Sequence, residues 1–481
     1  MIRRNGACLR CQQQQLVIDH LQAELAKRNR DCQRLQDRVA QLEDEILRLR
    51  QKVEQLERDA HRQTGRFRRR QLKKRKRKSG RRKGHPPANR PTPPPEHIDR
   101  VIDVPGRDCP DCTLPLVDPG VVVQYQTDLP PIVPIVSQFN IETGYCPCCR
   151  QRRQGRHPEQ ISNALGAAGN TIGPVILTMA AELKHRLGVP YRKICDFFTT
   201  YCDLTICPAT LVRAEQRLTE LARPTYQLLI EALRRADVVQ ADETGWRFSA
   251  VNAWLWVFSN SQVTVYAIRT GKGARGHTVP EEILGPDFDG YLVVDGLASY
   301  TVLDYQKGQC NGHLLRRAKE LHGTGPNRER GYLDQLITTI QEGIDLAQRR
   351  AQLTPDGYAR RVQEIENRIV AWVLAKPANC SDDVRRLFNH FTNHITEWLP
   401  FLHEPSVPPT NNHAESMLRP AVITRKVGGC NKTLLGALAH SVLANIMVTC
   451  KQQGQKFLDL AKRLWCGGQP QALPVVPQPD G

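Results

Sequence analysis

The chain has 481 residues, with 68 Lys plus Arg against 49 Asp plus Glu, for a formal net charge of +19. At about 150 residues per domain it should hold two to four domains, and 40% apolar residues support a sizeable core, which excludes wholesale disorder. It has no run of about 18 or more apolar residues, and its start, MIRRNGACLRC, lacks the apolar core of a signal peptide; the expected location is the cytoplasm, with no membrane partner and the 16 Cys free of disulfides.

Residues 1–62 are expected to be a coiled-coil dimerisation region. A heptad runs from 16 to 58, with Ile18, Leu25, Cys32, Val39, Ile46 and Val53 at a, and Leu21, Arg28, Leu35, Leu42, Leu49 and Leu56 at d. β-Branched residues at a with Leu at d favour a parallel pair. In such a pair Arg38 faces Glu43, Glu45 faces Arg50 and Lys52 faces Glu57, all of opposite sign. Six heptads without Gly or Pro favour this over a lone amphipathic helix packed on the protein's own core.

Residues 63–98 read as a linker. Thirteen of the 18 residues from Arg66 to Lys83 are basic and none is acidic, which suits a phosphate polyanion and predicts DNA binding that weakens with salt. Six of the ten from Pro86 to Pro95 are Pro, an extended stretch that marks a domain boundary.

Residues 99–155 fit a zinc ribbon. Cys109-Pro-Asp-Cys112 and Cys146-Pro-Cys148-Cys149 flank β-type segments at Val121–Tyr125 and Ile135–Ile141. Four thiolates, Cys109, Cys112, Cys146 and Cys149, can hold one structural Zn²⁺, with Cys148 the spare. Cys8-x-x-Cys11 lacks a second pair in its own chain and could bind metal only across a dimer.

Residues 156–235 are helical. Helices near 190–201 and 208–222 flank a polar turn at Cys202–Cys207, an HTH-like arrangement that could contact DNA. From 236 the chain turns β-rich at Asp237–Asp242, Ala253–Phe258 and Val263–Ile268. A short helix at 277–285 precedes a fourth strand, Tyr291–Val294, indicating an α/β domain with a mixed sheet. Residues 312–405 return to helical spacing, a last helical region follows Asn411, and the tail 467–481 is polar, Pro-rich and expected to be disordered.

Three acids stand out in this domain. Asp242 and Asp295 are read as ending strands, and Glu415 as beginning a helix. Carboxylates at strand ends repel one another unless a divalent cation neutralises them. Three of them can hold two Mg²⁺ (or Mn²⁺) for in-line phosphoryl transfer. His313, Arg316 and Arg317, and then Arg419, Arg425 and Lys426, place basic groups beside the acids, as a polyanionic substrate requires.

These pieces together resemble transposases of the insertion-sequence-66 family. The matching motifs are Ala241-Asp-Glu-Thr244, Asp295-Gly with Ser299-Tyr300, Cys310-Asn-Gly-His313 with Arg316-Arg317, and Asn411-Asn-His-Ala-Glu415 with Leu418-Arg-Pro420 and Arg425-Lys426. The order of upstream modules matches too, and the likeness spans roughly 16–465. The chain departs from the family pattern at Thr410, at Ser416 and in the Val-Gly-Gly-Cys430 segment. The resemblance implies an RNase H-like catalytic domain over 236–466, interrupted by a helical insertion at about 318–405. Its Asp-Asp-Glu triad would be Asp242, Asp295 and Glu415, cutting and joining the element's ends. Implied partners are DNA, a second copy of the chain and small companion proteins of the same element, and the implied setting is the bacterial nucleoid. Two other readings use the same modules: a zinc-dependent dimeric DNA-binding protein without activity, and a metal-dependent nuclease without strand transfer. Only the triad separates an enzyme from a binder.

Overall fold

In a computed structural model of the protein the described residues are 18, 22, 24–35, 38, 39, 42, 45, 90–104, 108, 109, 111–115, 117, 120–249 and 251–467. The basic block, Cys8, Cys11 and residues 468–481 lie outside them. Contacts divide the chain into two units, 1–127 and 128–481.

In the first unit residues 24–35 are helical. The a and d residues described there are open to solvent, Leu25 at 60% and Leu35 at 67%, as is Val39 at 53%. A regular apolar stripe left uncovered is the surface a second helix would bury. Ile46, Val53, Leu21, Leu49 and Leu56 lie outside the described residues. A fragment of residues 16–58 should sediment as a dimer at tens of micromolar, near the lower end of the μM–mM range in which exposed apolar surfaces associate; a monomer there would refute the pairing.

The second unit opens on a hairpin of β1 (Thr143–Cys146) and β2 (Gln151–Gln154), antiparallel with Cys146 opposite Gln151. Residues 121–142 carry no strand, which corrects the β-type reading of Val121–Tyr125 and Ile135–Ile141. Their apolar residues are exposed, Val121 at 94% and Ile135 at 93%. Strand propensity needs a partner ladder to become a strand, and within the described residues neither segment finds one.

Helices Pro174–His185, Tyr191–Cys202 and Pro208–Arg234 follow. The third runs through Pro224, well past the expected end at 222. Ala222, Tyr226, Leu229, Ile230 and Leu233 are buried along it, and that packing outweighs the roughly 3 kcal/mol cost of an interior proline.

The sheet has five strands in the order β5-β4-β3-β6-β7: β3 (Val238–Phe248), β4 (Val251–Ser259), β5 (Thr264–Thr270), β6 (Tyr291–Val294) and β7 (Gln306–Gln309). β3, β4 and β5 form an antiparallel meander, and β6 and β7 join parallel to β3. This is the mixed sheet expected, plus β7, a Gln-Lys-Gly-Gln strand with no apolar signal to announce it. Successive β3 side chains face opposite ways. Val239 and Ala241 point into the core shared with the preceding helices, while Trp246 faces the Asn412–Gly428 helix through Ala414, Leu418 and Ala421. The Leu434–Gln452 helix is long and apolar enough to span a bilayer by length and composition, but 67% of its most apolar window is buried; it is a core helix here.

Between β7 and the Asn412–Gly428 helix stand helices Asn311–Thr324, Asn327–Gln348, Pro355–Leu374, Asp382–Asn393 and Pro400–His403. They enclose a core that includes Leu336, Ile340, Trp372 and Phe391 and takes in Val293 of β6. The two ends of this helical segment meet. The Asn311 backbone N–H donates to Pro409 O at 3.1 Å, and its Nδ2 donates to Trp398 O at 2.9 Å.

Candidate active site

Asp242 is the fifth residue of the 11-residue β3, not its end as read from sequence. The reason lies in the pairing. β6 pairs with β3 only as far as Gln240, whereas β4 continues beside it to Phe248. Asp242 therefore sits where one neighbour has stopped and the sheet opens. Asp295 directly follows β6. Glu415 lies in the first turn of the Asn412–Gly428 helix, whose Ala414 and Leu418 pack with Leu255 and Val257 of β4. Val257 is the direct partner of Asp242, so the helix carries Glu415 over the same face.

One oxygen of each aspartate is held by backbone. Asp242 Oδ1 accepts the Glu243 N–H at 2.8 Å, and Asp295 Oδ1 accepts the Leu297 N–H at 3.3 Å. Burial pushes the Asp242 carboxyl up from about 4 to about 7, helped by the charges of Asp295, Glu243 and Glu415 and opposed by the Glu243 N–H. This excess of negative charge on hard oxygen donors suits Mg²⁺ or Mn²⁺. Among the described residues no three His, Cys, Asp or Glu are gathered closely enough to hold a metal ion; the acids feel one another's charge without forming a ligand cluster.

A cleft of about 450 Å³ opens beside them. Asp242, Glu415, His313, Arg316, Arg419 and Lys426 line it, with Leu418, Val422 and Ile423 as its apolar wall. The other two basic candidates are engaged elsewhere. Arg317 pairs with Asp383 at 2.9 Å and with Glu320 at 3.2 Å. Arg425 donates to Thr244 Oγ1 at 3.1 Å and to Gly245 O, tying its helix to β3.

Two neighbours escaped the sequence reading. Glu243 is buried and bonded to Arg275 at 2.8 Å, with Arg275 lying 4.2 Å over the Trp254 ring. His390, from the helical segment, packs over Gly296. That glycine has φ +89°, and a Cβ there would meet His390 Cε1 at 2.9 Å. The Asp295-Gly pair hinted at a close approach, but nothing in the spacing named His390 as the residue approaching.

The metal balance predicts a pH-dependent stability. Without cation the native state keeps a proton on Asp242 that the unfolded chain has released between about pH 4 and 7, so stability falls as pH rises through that window. A divalent cation relieves this only where Asp242 is ionised. Mg²⁺ should therefore raise the melting temperature by a few degrees at pH 8, as about 2.7 kcal/mol of ligand stabilisation at 100 times Kd would, and scarcely at pH 5. Calorimetric scans with and without Mg²⁺ measure this, and equal shifts at both pH values would exclude Asp242 as a ligand.

Each of the two Cys-x-x-Cys segments forms a turn, and the two turns are alike. Cys109 donates its N–H to Leu114 O and accepts from Thr113 N–H, both at 2.8 Å. The residue after each Cys-x-x-Cys is left-handed, Thr113 at φ 59° and Arg150 at φ 51°. The Cys109 thiol is lowered by the N–H groups of Cys112 and Asp111, then by the Cys112 thiol. Cys146 is lowered in the same way by the N–H and then the thiol of Cys149, and by the N–H of Cys148. Backbone amides aimed at a thiol favour the thiolate that zinc requires.

A family model described as transposase IS66 family matches residues 169–439, a span that includes Asp242, Asp295 and Glu415. A search of curated proteins gives no match.

Proposed function

The chain belongs to the IS66 family of transposases, and on that premise we propose that it cuts DNA at the ends of an insertion sequence and joins them to a target by metal-dependent phosphoryl transfer. The observation that carries this is the half-buried Asp242 carboxyl, which feels the charges of Asp295 and Glu415, in a cleft that Glu415 and three cations also line. Asp242, Asp295 and Glu415 would hold two Mg²⁺ (or Mn²⁺), which supply activation of the attacking oxygen and neutralisation of the departing one. The Glu243 and Leu297 N–H groups fix Asp242 and Asp295 in advance. Arg316, Arg419 and Lys426 seat the phosphate backbone, a role that positions DNA without reading its sequence. Leu418, Val422 and Ile423 give one wall an apolar lining, which strengthens those charge contacts where DNA displaces water. No Ser or Tyr nucleophile is assigned, because hydrolysis and transesterification need no covalent enzyme–DNA intermediate.

A mixed sheet of this order, with only its second strand antiparallel to the rest, supports an RNase H-like catalytic domain. We extend the reading to a coiled-coil dimer, one zinc per chain on Cys109, Cys112, Cys146 and Cys149, and association with the nucleoid and with companion proteins of the element. The test is incubation of the purified protein with labelled element ends, Mg²⁺ and those companions. Nicks at the element boundary and joined products are expected. Binding without any cleavage in Mg²⁺ or Mn²⁺ would make the protein a DNA-binding member of the family; cleavage without joined products would make it a nuclease.

A further inference from the structure

We propose that Asn411 and Cys310 form a buried clasp that fixes the mutual spacing of Asp242, Asp295 and Glu415, making both of them positioning residues for the metal-binding carboxylates; this rests on the function proposed above.

Asn411 is the N-cap of the helix that carries Glu415. An Asn there ordinarily turns its side chain back onto the helix's own free N–H groups. Here it makes no such bond. Its Nδ2 instead donates at 2.7 Å to the carbonyl of Ala241, the residue before Asp242 and 170 positions away. Its backbone N–H donates at 3.2 Å to Cys310 Sγ, and its carbonyl accepts the Glu415 N–H at 3.2 Å. Cys310 completes the set by donating its own N–H at 2.8 Å to Val294 O, the residue before Asp295. Each arm of the network thus ends on a triad acid or on the residue preceding one.

Both residues are sealed from solvent, Asn411 at 0% and Cys310 at 2% exposure. The geometry is not what local stability alone would select. The helix start forgoes its cap, and Asn411 Oδ1 is buried without a partner, which costs stability. A second contact closes the ring. His313, in the first turn of the helix capped by Cys310, places Nε2 3.7 Å from Glu415 Oε1. Two helix starts therefore abut, joined by one thiol and one amide, and tied to β3, which carries Asp242, and to the end of β6, which leads into Asp295. Metal ligands from three distant segments need such bracing, because a functional site tolerates only about 0.5 Å of misplacement.

The experiment uses the full-length protein and its Asn411→Ala and Cys310→Ala variants. The Mg²⁺ concentration giving half of the thermal stabilisation is measured, together with that giving half-maximal cleavage of element ends. Both midpoints should rise about tenfold or more in each variant, the usual effect of losing an outer-shell partner. The rate at saturating Mg²⁺ should return to within about threefold of the parent, and metal-free binding of element ends should not change. Cys310→Ser, which keeps a shorter acceptor, should fall between. Thr449→Val is the control for ordinary destabilisation. It breaks buried bonds to Thr264 at 3.1 Å, and should lower the melting temperature without moving either midpoint. Should Asn411→Ala not fold, Cys310→Ala decides, since it removes only the thiol that meets the Asn411 N–H and the His313 ring. Midpoints within about threefold of the parent, or an equal shift in the control, would overturn the clasp alone. A parent with neither a Mg²⁺ response nor cleavage would overturn the proposed function, and the clasp with it.

Discussion

Asp242→Asn should abolish strand cleavage, by about a thousandfold or more, which corresponds to about 4 kcal/mol in the barrier, while element-end binding stays near normal. Asn fills the space of Asp and can still accept the Glu243 N–H at its side-chain oxygen. What it loses is charge. Asp242 is the acid that burial and its neighbours strain most, with its carboxyl pushed to about 7, and the substitution removes that strain. The variant should accordingly be at least as stable as the parent without cation, yet inactive with it. Asp295→Asn and Glu415→Gln should also lose cleavage and keep binding. Labelled-end cleavage in Mg²⁺, run beside melting curves, provides the measurement. A variant that cleaves within about tenfold of the parent, or roughly 1.4 kcal/mol, is not altered at a metal ligand, and the triad would need reassignment.

The second large effect concerns zinc. No described residue from 90 to 159 is buried, so a zinc on the four proposed thiols would replace the apolar packing that holds larger domains. Structural zinc in comparable small modules contributes about 10–16 kcal/mol of apparent binding energy at neutral pH. The purified protein should contain one zinc per chain, and Cys109→Ser with Cys146→Ser should bring this to zero. The double variant should also become sensitive to proteolysis between 99 and 155 while the sheet, with its own core, melts as before. Elemental analysis and limited proteolysis check the two halves. Unchanged zinc content would remove these four thiols from consideration.

How much of this was legible beforehand depended on whether a signal was local. Runs such as Ala253–Phe258 declare a buried strand by themselves, and the meander appears where they stand. β7 declares nothing, because Gln-Lys-Gly-Gln becomes a strand only by docking on β6. Arg223-Pro224 looks like a helix end, and only burial of the residues beyond it shows otherwise. The strand position of Asp242 could not be read either, since the sheet opens there by the withdrawal of β6 rather than by any break in β3. Among the basic candidates, Arg316 and Arg317 are adjacent in sequence but point apart, one to the cleft and one to Asp383. A helix turns by about 100° per residue, so motif membership could not say which of the two faces DNA.

The meeting of Asn311 and Pro409 has a consequence for how the gene can change. Everything between those two residues starts and ends at a closed neck, and its interior is filled mostly by its own side chains, joined by Val293 of β6. The entropy of closing such a loop grows only with the logarithm of its length, about 0.6 kcal/mol for each doubling. Closing the neck around a longer or shorter insertion therefore costs little, so relatives of this protein should vary in length here wherever the helices they keep still fill a core and the neck survives. The tolerance ends abruptly at the neck itself, where a one-residue slip would turn the Glu415 helix by about 100° and carry the acid away from its partners. Length variation in this family should therefore pile up inside the insertion and stop short of both its ends.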